Sequence, residues 1–284
     1  MLGAIIGDVV GSKFEFKNTN RSDFELFHDA STFTDDTVLL CATADSILNG
    51  TDYGDNYQLY YFKYPNRGYG GSFVRVASAG KLRPYNSYGN GSAMRISPVG
   101  WAFDTLEETL EEAKKSAEVT HNHPEGIKGA QAVALAIYKA RHGADKMEII
   151  KSVSDLGYDL GMTIKDIPRQ HKVTCQDTIP ICMALFSQTE DFENAIRKTI
   201  QAGGDVDTNA CIVGSMAEAF YGQSKIARDI QANVFKKITP ELADIVVSFI
   251  QKYINPEYKK PSEMSEAEEL KNSIASLFST GGLS

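Results

Sequence analysis

The chain has 284 residues, of which 42% are hydrophobic, and it carries a net charge of −8 with an isoelectric point near 5.2. This apolar content is enough for a sizeable core, and the acidic balance argues against nucleic acid as a general partner, because binding to phosphate backbones needs a basic surface. The four cysteines form no C-x-x-C pair, which indicates reduced thiols and a cytoplasmic location. No stretch reads as a signal peptide or a membrane span, so we expect no membrane partner.

The first element is a short apolar helix over residues 1–12. Gly3, Gly7 and Gly11 recur every four residues and predict a smooth face that a second helix can approach closely. Glu15 follows between two phenylalanines. This carboxylate is either part of an exposed alternation or a partly desolvated acid with a raised pKa.

A cluster of acids and hydroxyls begins the second apolar helix. The segment Phe33-Thr34-Asp35-Asp36-Thr37 runs directly into Val-Leu-Leu and further apolar residues. Aspartate and threonine are common residues at helix N-termini, so the simplest interpretation is helix capping. The alternative is a set of ligands for a metal ion.

Residues 51–91 are rich in glycine, tyrosine, asparagine and proline. Two loops of similar composition, at residues 66–71 and 85–92, offer backbone N–H groups, rings and small polar side chains. Such loops can cradle phosphates, and a tyrosine in them can stack on adenine. The alternative is that both are ordinary turns.

From about Ser92 onward the pattern predicts nearly continuous helix. Thr105 and Glu108 have the spacing of a capping box, and further helices are expected to start near residues 145, 177, 189 and 239. Between two of these helices lie His121, expected to donate a hydrogen bond to a polar ligand, and His123, expected to be structural. Because no run alternates with a period of two, the class is all-α, a compact orthogonal multi-helix bundle.

A second acidic cluster lies at residues 203–214. Gly203 and Gly204 suit a sharp turn, and Asp205, Asp207 and Thr208 then stand at the start of a buried helix. Oxygen donors without cysteine or histidine favour Mg²⁺ or Mn²⁺. We therefore predict that this cluster and the one at residues 33–37 meet in space and share two metal ions.

Residues 1–255 are expected to form a single domain. Residues 256–262 resemble a hinge, and residues 265–278 are predicted to form a short helix in a C-terminal extension over 256–284. Because no coiled-coil heptad is visible, we expect a monomer.

Several motifs, taken in order, resemble those of the ADP-ribosylglycohydrolase family. They are Gly3-Ala4 with Gly7-Asp8, the Thr34-Asp35-Asp36-Thr37 cluster, Gly89-Asn90-Gly91-Ser92-Ala93-Met94-Arg95, Thr120-His121, and Gly204-Asp205-Val206-Asp207-Thr208. The resemblance covers roughly residues 1–222. It implies an all-α fold with two Mg²⁺ or Mn²⁺ ions in a central cleft and the hydrolytic removal of ADP-ribose from modified targets.

The resemblance also implies roles for individual residues. The metal ligands would be Thr34, Asp35, Asp36, Asp205, Asp207 and Thr208, and the catalytic residues would be Glu15, Asp35 and Asp36. The residues expected to bind the substrate are Gly70, Ser87, Tyr88, Gly89, Asn90, Gly91 and His121. Val206 departs from the family pattern, because many relatives carry a hydroxyl residue at that position.

The residues also allow two other functions. The pair His28-Asp29 is similar to the His-Asp pair of an all-α superfamily of metal-dependent phosphohydrolases. The motif at Asp205 is similar to that of haloacid-dehalogenase phosphatases, although no hydrophobic strand precedes it. The second possibility is a non-catalytic relative that binds ADP-ribose or has a structural role. Six intact candidate metal ligands argue against that possibility.

Overall fold

The computed structural model describes residues 1–261, and within them all regular secondary structure is helical apart from one isolated bridge between Gly89 and Thr174. The α-helices, in chain order, are α1 Leu2–Ser12, α2 Asp35–Asn49, α3 Tyr53–Lys63, α4 Gly71–Ser78, α5 Gly91–Met94, α6 Ser97–Ala102, α7 Leu106–Glu118, α8 Pro124–Arg141, α9 Lys146–Ser154, α10 Cys175–Ser187, α11 Phe192–Ala202, α12 Val206–Tyr221, α13 Arg228–Phe235 and α14 Pro240–Tyr253. Two short 3₁₀ helices lie at Ile164–Asp166 and Gln223–Lys225. The predicted all-α class is confirmed.

Helices α1 and α12 form the centre of the fold and pack against each other at backbone distance. A β-carbon added at Gly3 would overlap the carbonyl oxygen of Gly214, and one at Gly7 would overlap that of Ala210. At Gly11 it would collide with the backbone of Asp207. The three glycines therefore do provide the smooth face that their spacing predicts, and they bring the start of α12 beside α1.

The remaining helices surround this pair. Helix α8 packs against α5, α6, α7, α9, α10 and α12, while α2 packs against α3, α6 and α14. The interior is apolar along both central helices, and all four cysteines are buried and unpaired. None of the helices in residues 1–261 has the length and hydropathy needed to cross a bilayer.

The helix boundaries differ from the predicted ones in several places. Residues 51–91, for which the sequence pattern predicts two loops and no helix, contain α3 and α4, and residues 155–174 form a long connection instead of continuous helix. Helix α10 starts at Cys175, because the side chain of Thr174 accepts the N–H of Asp177, and α11 starts after Asp191, which caps it in the same way. The helix predicted over residues 265–278 lies outside the described residues.

Candidate metal and substrate cleft

The N-termini of α2 and α12 meet at the floor of one cleft. Carboxylate oxygens of Asp8, Asp36 and Asp207 all lie within 4.8 Å of one another. The hydroxyl of Thr208 donates to Asp36 Oδ2 at 3.3 Å and so links the two helix starts directly. The structure thus brings together the two acidic stretches, which are about 170 residues apart in the sequence.

Thr34 has the capping role that its position predicts. It precedes α2 with extended backbone, and its Oγ1 accepts the N–H of Asp36 at 3.2 Å. The same hydroxyl donates to Asp8 Oδ1 at 2.7 Å. Asp8 also accepts hydrogen bonds from the backbone of Thr34 and from Thr37, so its carboxylate is held firmly against the start of α2.

Two oxygens in this acidic group have no hydrogen-bond partner. Asp36 Oδ1 and Asp207 Oδ1 are both buried and unpaired. Burial raises the pKa of each carboxyl well above its usual range, and the neighbouring aspartates raise it further. Buried carboxylates this close repel one another strongly unless a positive charge lies among them. An all-oxygen donor set with free lone pairs fits a hard divalent cation.

A second cluster lines the same cleft and consists of Glu15, His171 and Asp205. His171 Nε2 lies 3.4 Å from Asp205 Oδ1 and 3.6 Å from Glu15 Oε1. Asp205 precedes α12 but makes no capping hydrogen bond there. Its Oδ2 instead accepts from the Asn90 side chain at 2.7 Å, so its carboxylate points into the cleft and is available to a ligand.

The loop carrying Glu15 is fixed to the turn before α12. Gly203 and Gly204 have φ angles of 79° and 87°, which makes the sharp turn that these residues predict. Asn18 accepts the N–H of Gly204 at 2.8 Å and donates to its carbonyl at 3.2 Å. Burial, with Asp205 as the next contribution, raises the pKa of the Glu15 carboxyl. Of the two interpretations of Glu15, this agrees with the partly desolvated acid with a raised pKa.

His171 reaches the cleft from the long connection before α10. Its ring stacks on Phe16, with centroids 5.8 Å apart. Two hydrogen bonds join this connection to the loop before α5, from Asn90 N to the Val173 carbonyl and from Cys175 N to the Tyr88 carbonyl. The Gly89–Thr174 bridge therefore forms one wall of the cleft.

The cleft has a volume of about 370 Å³. The predicted site residues that line it are Glu15, Asp35, Asp36, Gly70, Ser87, Gly89, Asn90, Gly91, His121, Asp205 and Thr208. Asp35 is half-buried beside Gly68, whose added β-carbon would lie 3.1 Å from its Oδ1. Thr34 and Asp207 lie beneath the floor rather than in the lining. Tyr88 is 48% exposed and its ring contacts His123, outside the lining.

Comparison with known proteins assigns the chain to a family. The model of the ADP-ribosylglycohydrolase family matches residues 1–256. The chain belongs to the ADP-ribosylglycohydrolase family. This membership favours ADP-ribose hydrolysis over the metal-phosphohydrolase alternative based on His28 and Asp29. His28 lies outside both acidic clusters and accepts the N–H of Ala30.

Individual relatives agree with the family assignment. The human ADP-ribosylhydrolase ARH3 is 26% identical over 314 residues, covering 81% of this chain and 86% of that protein. The ADP-ribosylarginine hydrolase Tri1 of Pseudomonas putida strain GB-1 is 26% identical over 261 residues, covering 79% and 70%. A solved structure titled ADP-ribosylglycohydrolase-related protein complex superposes with a TM-score of 0.67 and 21% identity over 88% of this chain and 96% of that one, which shows a shared fold.

Sequence reasoning missed two residues of this ADP-ribosylglycohydrolase cleft. Asp8 lies within one of the family-like motifs, from which no role for it follows, although an acid inside an otherwise apolar helix was a usable signal. His171 lies in a connection with no periodicity and no motif, and its place depends on contacts with Phe16 and Asp205. No local pattern could have identified it.

Proposed function

We propose that this protein is a divalent-metal-dependent hydrolase that removes ADP-ribose from ADP-ribosylated targets. The bond cleaved is the one at the anomeric carbon of the distal ribose. The observation that carries the proposal is the buried group of Asp8, Asp36 and Asp207, in which Asp36 lines the cleft and Asp36 and Asp207 each have one unpaired oxygen. Family membership and the printed activities of ARH3 and Tri1 support the same reaction class.

The residues proposed to hold two ions are the six implied by the sequence, Thr34, Asp35, Asp36, Asp205, Asp207 and Thr208, together with Asp8 as a contributor. Mg²⁺ is the first choice and Mn²⁺ the second, because the donors are hard oxygens. When bound, the ions supply Lewis-acid charge that orients ribose hydroxyls and lowers the pKa of an attacking water. They also neutralise carboxylates that otherwise repel one another.

Glu15 is the proposed acid–base residue. Cleavage at the anomeric carbon builds positive, oxocarbenium-like charge on the ribose, and a proton must pass to the leaving group or from the water. Glu15 lines the cleft 3.6 Å from His171, and burial raises its pKa, which suits a carboxyl group that holds and releases a proton during the reaction.

The glycine-rich wall is proposed to bind the rest of ADP-ribose. Gly70, Gly89 and Gly91 line the cleft with backbone that carries no side chain and can approach a diphosphate closely. Asn90 contributes indirectly, since its side chain holds both Asp205 and Thr178. Tyr85 lines the cleft and offers a ring for the adenine.

A panel of ADP-ribosylated substrates tests this proposal. Arginine-linked, serine-linked, acetyl-linked and ribose–ribose-linked substrates are incubated with Mg²⁺ or with EDTA, and free ADP-ribose is measured by chromatography. We expect release from at least one substrate with Mg²⁺, and loss of release with EDTA or in Asp207→Asn. Release of inorganic phosphate without ADP-ribose, or equal release in EDTA, would contradict the proposal.

A further inference from the structure

A fully buried arginine lies behind the substrate wall of the cleft. Arg95 is 0% exposed, and its guanidinium lies over the ring of Tyr57, 4.2 Å from the ring centroid. Its Nη2 donates to the carbonyl of Ser116 and to Thr120 Oγ1, both at 3.0 Å. A guanidinium can donate hydrogen bonds but cannot accept them, so the direction of the bond to Thr120 is fixed.

The hydroxyl of Thr120 connects this arginine to His121. Thr120 Oγ1 lies 2.7 Å from His121 Nδ1, and both side chains are buried. Because the hydroxyl already accepts from Arg95, its own proton can go to Nδ1 or to the neighbouring hydroxyl of Tyr85. The contact with Nδ1, at 2.7 Å, is the one with hydrogen-bond geometry, so we assign the donation to Nδ1. Hydrogen bonds in such a chain also polarise one another, which strengthens the donation.

His121 is a neutral ring in this setting. Burial and the charge of Arg95 together lower the pKa of His121 well below its usual value. A neutral imidazole carries one proton, so a ring that accepts at Nδ1 must be protonated at Nε2. The two ring nitrogens then have fixed and different functions.

The Nε2 side of the ring faces the glycine-rich wall of the cleft. A β-carbon added at Gly91 would lie 3.1 Å from Nε2, and one added at Gly89 would lie 3.6 Å away. The absence of side chains at these two positions therefore leaves Nε2 accessible to whatever the cleft binds. His121 and both glycines are among the lining residues.

We propose that Arg95, acting through Thr120, holds His121 as the Nε2–H tautomer, so that His121 presents a hydrogen-bond donor to the ligand. Arg95 and Thr120 are thus positioning residues for the substrate wall. The ligand group opposite Nε2 must be an acceptor, such as a phosphate or hydroxyl oxygen. The identity of that ligand rests on the proposed function, whereas the tautomer does not.

Nitrogen NMR of the full chain, labelled with ¹⁵N-histidine, tests the tautomer without any ligand. The His121 signals are assigned by comparison with His121→Asn. At pH 7 we expect a protonated Nε2 and an unprotonated, hydrogen-bonded Nδ1. In Thr120→Val the Nδ1 signal should shift to that of a nitrogen without a hydrogen bond, while Thr120→Ser should resemble the wild type. A wild-type His121 that is protonated at Nδ1 would overturn the proposal, whatever the variants do.

Calorimetry with ADP-ribose tests the consequence for binding. We expect Thr120→Val to raise the Kd about 2- to 10-fold, the range for loss of one typical hydrogen bond, and Thr120→Ser to restore it. An unchanged Kd together with an unchanged Nδ1 signal in Thr120→Val would refute the coupling. If the wild type bound no ADP-ribose, the proposed function would fail, and the NMR result would still decide the tautomer.

Discussion

The close packing of α1 on α12 should determine whether the acidic group can form, and Gly7→Ala tests this. The added β-carbon would overlap the carbonyl group of Ala210 and the nitrogen of Cys211. Since unstrained non-bonded contacts lie at about 3.5 Å, the helices must separate by about 1 Å or more. Overpacking typically costs about 1–3 kcal/mol, and alanine in a helix recovers up to about 1 kcal/mol. We expect a net loss of about 2 kcal/mol.

Calorimetric melting and metal titration measure this effect. A loss of about 2 kcal/mol corresponds to a Tm lower by about 4–8 °C for a chain of this size. Because Asp8 is next to Gly7 and Asp207 lies in the first turn of α12, we also expect Mg²⁺ affinity to fall by about 10-fold or more. Gly71→Ala is the matched control, since an added β-carbon there meets no atom within 4 Å. A Gly7→Ala variant with wild-type Tm and wild-type metal affinity would refute the reasoning.

Three further predictions follow from the site. Glu15→Ala should lower turnover by about 10²–10⁴-fold while ADP-ribose binding is largely retained, as measured by steady-state kinetics and calorimetry. Asp36→Asn should weaken Mg²⁺ binding by about 10-fold or more in calorimetry, since it removes one of the closely spaced carboxylates. Burial raises the folded-state pKa of Asp36 and Asp207, so the folded metal-free chain binds more protons than the unfolded chain. Its stability should therefore fall as pH rises above the usual carboxyl range, and Mg²⁺ should reduce this slope in chemical denaturation.

Each of these predictions has an outcome that contradicts it. Near-normal turnover in Glu15→Ala would remove that residue from the mechanism. Unchanged Mg²⁺ affinity in Asp36→Asn would exclude it as a ligand. A metal-free protein whose stability rises with pH over the same range would show that another positive charge already offsets the repulsion among the aspartates.

Features that depend on local pattern could be read from the sequence. The spacing of Gly3, Gly7 and Gly11 specifies a helix face without side chains, and only another backbone can fill the space that such a face leaves. Asp and Thr at the starts of two apolar helices specify polar groups placed beside a core. A residue can cap a helix and also belong to the acidic cluster. Thr34 does both, because its hydroxyl caps α2 and donates to Asp8.

Features that depend on long-range contacts could not be read in this way. His171 lies beside Glu15 and Asp205 through ring stacking and a loop pairing that leave no periodic signal. Helix α3 was hidden by tyrosine, asparagine and glycine, which have weak helix propensity, although Tyr57 and Tyr60 pack in the core. Tyr88 lies in the predicted loop at residues 85–92, yet its ring contacts His123 and does not line the cleft.

The central claim is that two acidic helix starts together hold two divalent ions. Electron paramagnetic resonance of the chain titrated with Mn²⁺ tests it most directly. We predict two tightly bound Mn²⁺ ions per chain with a spin-coupled signal, and loss of that coupling in Asp207→Asn. Weak, uncoupled binding that Asp207→Asn leaves unchanged would contradict the claim.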